Sequence, residues 1–184
     1  MKIFKYLSQL LLVLLALSTL AMAGIKDKSA AEIESDANEA LSKFYSEVAG
    51  SKAYLQKVKG YVVFPEVIEA GMFVGGKYGE GVLRIKDKTQ GYYSITAASV
   101  GFLAGGAKYS LVIAFTSDEA LNKFMHDDDW ESEMDVNMAI AKWNSEEELD
   151  DIDFGTDMIG FVFDSKGMLG NFTLEGTKFK KITP

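Results

Sequence analysis

Residues 71–77, Gly-Met-Phe-Val-Gly-Gly-Lys, have the spacing of a phosphate-binding loop. Such a loop cradles phosphates with backbone N–H groups, needs Ser or Thr next to hold magnesium, and opens into a helix. Here Tyr78 follows, and Gly79-Glu80-Gly81-Val82-Leu83 is a poor helix start, so no nucleotide is expected. Nucleophilic catalysis has little material. The chain has no cysteine and one histidine, His126, set beside Asp127-Asp128-Asp129 in what reads as a solvated loop, and no nucleophile-elbow motif marks a serine. Hard oxygen ligands occur at Asp127, Asp128, Asp129 and Glu131, and again at Asp150, Asp151 and Asp153. Neither run has the order of a calcium-binding EF-hand loop, because Gly155 comes too early and no glutamate closes the loop. These acids read as solvated loops with at most weak metal binding, and no cofactor is expected. Glu80 and Glu175, each flanked by glycine, are placed to accept backbone hydrogen bonds and fix turns.

The other charged groups are basic. Lys77, Arg84, Lys86 and Lys88 fall along one hairpin, and Lys178, Lys180 and Lys181 on the C-terminal tail. Near an anionic membrane each contributes about 1 kcal/mol. The plain alternative is solubility lysines on strand edges.

The elements that must position these groups centre on Tyr61–Leu83. An apolar, β-rich run, Tyr61-Val62-Val63-Phe64, is stopped by Pro65, which donates no backbone hydrogen bond and suits a strand end or edge. Glycine then recurs at Gly71, Gly75, Gly76, Gly79 and Gly81. In an extended chain Gly71, Gly75, Gly79 and Gly81 share one face, opposite Met72, Val74, Tyr78 and Val82. Such a face calls for an element lying flat against it or a sharp bend in the sheet. The segment Gly71–Gly76 echoes as Gly101–Gly106, each copy followed by lysine or alanine-lysine and then tyrosine, which suggests two similar strands whose glycine faces pack on one another or on one helix.

Upstream, apolar residues from Ile33 to Val48 recur at three and four, the pattern of a helix over Ala30–Val48; Ser51 is placed to cap a second helix, Lys52–Val58, ended by Gly60. The first helix has an acidic exposed face (Glu32, Glu34, Asp36, Glu39, Glu47), unlike the basic face of a membrane-surface helix, and is expected to dock on its own domain. Downstream, Lys86–Gly91 reads as a turn between strands, Leu111–Phe115 as a buried strand, Ser117 as the cap of a short helix, Met134–Trp143 as a loose strand, Met158–Phe163 with Met168–Leu174 as a hairpin, and Thr177–Ile182 as an edge strand. The fold class is α+β: N-terminal helices packed on a strongly bent, Gly-rich antiparallel sheet, either open or closed like a barrel.

Residues 1–23 read as a secretory signal peptide: Lys2 and Lys5, an apolar Leu7–Leu20, and a small-x-small site at Ala21-Met22-Ala23. The apolar run falls short of the roughly 18–20 residues that span a bilayer. Residues 24–184 then form one exported, periplasmic domain. Losing the leader removes two lysines and no acid, taking the formal net charge from −8 to −10, which disfavours nucleic acid and bare anionic lipid as partners.

The order Lys59-Gly60, Phe64-Pro65, Ala70-Gly71, Gly75-Gly76 and Gly79-Glu80-Gly81 resembles the SYLF lipid-binding domain, also found in yeast actin-patch proteins. The resemblance continues through Gly91-Tyr92-Tyr93, Ser99-Val100-Gly101, Ala120-Leu121 with Phe124, Trp130, Gly160-Phe161, Lys166-Gly167 and Leu174-Glu175-Gly176, so that it covers about Ser35 to Ile182. It implies lipid or membrane binding without catalysis. Eukaryotic members bind phosphoinositides and actin filaments, neither of which suits an acidic exported chain. The expectation is a non-enzymatic envelope protein that meets phospholipid or a membrane surface. The alternative is a periplasmic scaffold that holds an envelope protein partner and has weakly metal-binding acidic loops.

Overall fold

The computed structural model describes residues 27–71, 74–100, 105–126, 129–131, 138–142, 155–167, 174 and 176–184. The leader, Asp127, Asp128, Asp150, Asp151, Asp153, Glu175 and the second arm of the expected hairpin, 168–173, lie outside the described residues.

Helix α1 (Ala30–Glu47) starts where its sequence can satisfy the free backbone N–H groups: Ser29 accepts from the Glu32 N–H, and Glu32 reaches back to the Ser29 N–H at 2.8 Å. Its apolar stripe, Ile33, Ala37, Ala40, Leu41 and Phe44, is buried; each large side chain among these contributes about 1.5–3 kcal/mol. Helix α2 is shorter than its pattern suggested, Ser51–Leu55. Gly50, in the left-handed region at φ 78°, occupies the cap position, while the Ser51 hydroxyl donates to the Phe44 carbonyl and so ties α2 to α1. Gly60 does not end a helix; it begins the first strand.

Eight strands follow among the described residues: β1 (Gly60–Gly71), β2 (Val74–Ile85), β3 (Lys88–Val100), β4 (Gly105–Phe115), β5 (Asp129–Glu131), β6 (Met138–Lys142), β7 (Met158–Gly167) and β8 (Lys178–Ile182), with helix α3 (Asp118–His126) between β4 and β5. They form one sheet in the order β5-β8-β3-β2-β1-β4-β7-β6. Every pair is antiparallel except β6 with β7, which is parallel. The stretch from 143 to 157 separates those two strands, enough chain for the crossover that parallel pairing needs. β2 and β3 meet in a two-residue turn with positive φ at both Lys86 and Asp87, the twist that suits a tight hairpin.

Pro65 does not stop β1. The strand runs on to Gly71 and pairs on both sides, and Pro65 sits where the register shifts against both β2 and β4. A bulge is the one place a central strand tolerates a residue without an N–H. The extra residue reverses which side chains face which way. Before it, Tyr61 and Val63 face α1 while Val62 and Phe64 face α3; after it, Val67 faces α3.

The bulge also explains two glycines. A Cβ on Gly81 would lie 2.3 Å from the Val63 carbonyl and 2.6 Å from the Phe64 ring, and one on Gly79 would lie 2.7 Å from the Glu66 carbonyl. Of the two expected reasons for a glycine face, the bend holds at these positions. The described ends of the two echoed segments lie side by side, not face to face, Gly75-Gly76 and Gly105-Gly106 flanking Ala70-Gly71 in the ladder.

The sheet separates two cores. On one face Phe44 of α1 packs on Phe161 and Phe163, with ring centroids 5.3 and 5.1 Å apart. On the other, Phe124 of α3 touches Tyr93, Phe115 and Phe179 at 4.7, 5.0 and 5.7 Å. The sheet is therefore not a barrel. It is open, with β5 and β6 at its ends, and α3 fills the curved side by bridging β3, β4 and β8. β7 also outruns its expected end at Phe163, continuing to Gly167 through a register shift beside Asp164.

Substituting Gly81→Ala should destabilise the domain by about 1–3 kcal/mol, because backbone and a buried ring would have to move. Gly76→Ala, whose Cβ would meet only the Ala97 carbonyl at 3.6 Å, should change stability by less than about 1 kcal/mol. Urea titrations of the two variants check the contrast.

Candidate functional site

The cations of the β2–β3 hairpin separate into two kinds. Lys86 and Lys88 are exposed at the turn. Lys77 and Arg84 are buried, at 7% and 8% exposure. Lys77 stands opposite Glu69 and Ala97 in the ladder. Burial pushes its pKa down, and the Glu69 charge opposes that shift.

Arg84 points to the other face and anchors α1. Its Nη2 donates to Glu34 Oε2 at 2.5 Å and to Asn38 Oδ1 at 2.9 Å. Thr89 donates to the other Glu34 oxygen at 2.5 Å, with the Tyr92 hydroxyl at 3.4 Å. Burial by itself would raise the Glu34 pKa; the hydrogen bonds from Thr89 and Arg84 and the Arg84 charge outweigh it and hold the carboxyl below its ordinary range. Glu34, expected on the helix's solvent face, is thus part of the docking. Further along, Lys43 bridges to Asp164 of β7 at 3.1 Å.

Glu80, 8% exposed, accepts from the Lys28 N–H at 3.1 Å and from the Tyr78 hydroxyl at 2.8 Å. It fixes the chain just before α1 rather than a turn. Tyr78 is held above its ordinary pKa, first by burial and then by this hydrogen bond to Glu80. The phosphate-loop spacing runs through the strands β1 and β2, with Lys77 turned into the protein. His126 ends α3, its Nδ1 2.8 Å from the Asn122 carbonyl. Among the described residues no group of three His, Cys, Asp or Glu side chains could hold a metal ion.

The tail lysines lie on β8, which is not an edge strand: it pairs with β3 on one side and β5 on the other. Lys178 and Lys180 are exposed, in register with Thr96 and Ser94 of β3 and with Glu131 and Asp129 of β5; Lys181 stands opposite Tyr93. The ladder sets Lys178 toward the glycine end of the sheet and the Lys86–Lys88 turn at the opposite end.

At that glycine end, on the α1 face but beyond the helix's start, lies a strip that the sequence pattern did not indicate. One cross-strand row reads Lys178 (β8), Thr96 (β3), Tyr78 (β2), Ile68 (β1), Lys108 (β4) and Lys166 (β7). The next row outward is Ala98, Gly76, Ala70 and Gly106, all exposed. Counting by twos from Tyr61 misplaces Ile68 unless Pro65 is read as a bulge, the one signal that could have revealed the row.

An open curved sheet clasped by an amphipathic helix on one face and a short helix on the other defines an α+β domain. Residues 96–183 match the family described as Ysc84, Las17-binding protein actin regulator, the SYLF family that the chain's motifs resemble. Among curated proteins nothing matches the chain. The matched stretch holds Lys108, Lys166 and the tail lysines; the hairpin cations, Ile68 and the glycines of β2 precede it.

Arg84→Met should lower stability at neutral pH by about 1.5–3 kcal/mol, the worth of a charge-assisted contact left broken, and should speed amide exchange across residues 30–47. Because the Glu34 pKa is depressed, its contribution is complete above its unfolded value of 4.5 and is lost as pH falls through the lower folded value. The wild type should therefore lose more stability than the variant between pH 7 and pH 3, as read by urea midpoints.

Proposed function

We propose that this chain is an exported, non-enzymatic protein that binds phospholipid or a membrane surface at the cell envelope. The observation that carries the reading is the match of residues 96–183 to the Ysc84 family, a binding domain of the lipid and actin-regulator kind. The apolar leader and its small-x-small site support export, with residues 24–184 as the mature domain. Strongly negative overall charge and lysines gathered on a few strands favour a weak, local and salt-sensitive contact over broad adhesion.

The family description itself names a protein partner, Las17, and this favours a second reading: an envelope scaffold that holds a protein. Cross-linking in intact cells followed by mass analysis of the captured species separates the two readings, a protein adduct without vesicle binding favouring the second.

The first reading is checked by sedimentation with phosphatidylglycerol–phosphatidylethanolamine vesicles in low salt. The wild type should pellet, and Lys178→Glu, Lys180→Glu and Lys181→Glu together should weaken pelleting by about 100-fold, given about 1 kcal/mol for each lysine near the surface. No pelleting of the wild type with any lipid mixture rejects lipid binding. Export is tested separately: intact mass of the protein recovered from the producing cell should begin at Gly24.

A further inference from the structure

We infer that the bare strip at the glycine end of the sheet, centred on Ile68, is the surface that meets the bilayer; this rests on the membrane-binding reading above and assigns it a place and a geometry. Ile68 is 40% exposed, and it and Ile140 are the large apolar side chains left exposed among the described residues. A single exposed isoleucine is ordinary. Its surroundings are what point to lipid. Tyr78 lies beside it in the same row, half-buried, with an apolar ring and a polar tip, the kind of side chain that suits a headgroup boundary. Lys108 stands on its other side, Lys166 one strand further out and Lys178 at the opposite end of the row. The row is thus apolar at its centre and cationic at both ends.

The shape suits a flat partner. Outside the row the next side chains among the described residues are Ala98, Gly76, Ala70 and Gly106, all small. α1 begins at Ala30, and the backbone just before it is held against Glu80 of β2, so the helix itself covers the sheet away from this strip.

The lysines are engaged in the free protein, Lys108 with Glu66 and Lys166 with Asp164 at 3.6 Å. Both lysine side chains are more than half exposed, at 53% and 72%. Pairs this exposed contribute no more than about 1 kcal/mol, so each ammonium can turn to a lipid phosphate at little cost while its alkyl stem lies along the apolar boundary. Ile68 then enters the headgroup region between them. A strip of this kind, on the face opposite the one that curves around α3, meets a surface rather than a single headgroup, which is why the occupant is a bilayer.

The absence of cysteine from the chain makes the test direct. A single Ile68→Cys variant carrying an environment-sensitive fluorophore, and a Gln90→Cys control at the exposed far end of the β2–β3 hairpin, are mixed with phosphatidylglycerol–phosphatidylethanolamine vesicles. Emission at position 68 should brighten and shift to the blue, and emission at position 90 should not. In sedimentation, Ile68→Asp should weaken vesicle binding by about tenfold or more, with an unchanged urea midpoint showing that the fold is intact. Ile68→Leu should bind as the wild type does. Vesicle binding by the wild type with no response at position 68, or with full binding by Ile68→Asp, overturns the assignment and leaves the general reading standing. Failure of the wild type to bind vesicles overturns both.

Discussion

The bulge at Pro65 is the constraint on which the rest of the sheet depends. A proline in a central strand removes one ladder donor, and the structure absorbs the loss by inserting an extra residue rather than by ending the strand. The Pro65 carbonyl accepts from the Ser110 hydroxyl at 2.8 Å, which satisfies a group the shifted ladder would otherwise strand. Because strand side chains alternate, one added residue exchanges the two faces for everything that follows. Val67 and the backbone around it consequently crowd β2, and only glycine fits at 79 and 81. The glycines are where they are because the neighbouring strand bends toward them.

That exchange divides the end of the sheet by chemistry. Glu69 is carried to the α3 side with Lys77 and Tyr109, where burial drives the tyrosine pKa up, with the Glu69 charge adding to it, and the lysine pKa down. Ile68, Tyr78 and Lys108 are carried to the α1 side, beyond the reach of the helix. Without the bulge, Ile68 would point into the α3 core and the outer strip would have no apolar centre.

The position of α1 is the complementary decision. Its apolar stripe would bury equally well in several placements along a flat sheet, since hydrophobic contact has little direction. Arg84 removes that freedom. A nearly buried guanidinium is costly unless its charge is met, and Glu34 and Asn38 meet it only in one placement of the helix. Lys43 with Asp164 adds a second fixed point further along. The helix therefore serves as a cover with a defined edge.

Much of the architecture was legible in the chain. The periodicity of α1 places that helix to within a residue, because amphipathic repeats are local physics; the Ser29 cap at its start came only with the structure. The expected cap Ser117 accepts from the Ala120 N–H at 3.2 Å at the start of α3. The motif order carried the family. What the sequence could not supply were relations between distant strands. Pro65 reads locally as a stop, yet pairing on both sides keeps β1 whole. Lys77 and Arg84 read as two more surface cations, yet alternation and the packing of two helices bury both. The tail reads as an edge, yet β5 pairs beyond it, and a glycine-rich sheet that reads as open or closed is open, with Phe124 packed on its α3 face. Local propensity and spacing determined the elements and the family; face, burial and neighbour were decided only by the tertiary structure, because each depends on a ladder register set by contacts far apart in the chain.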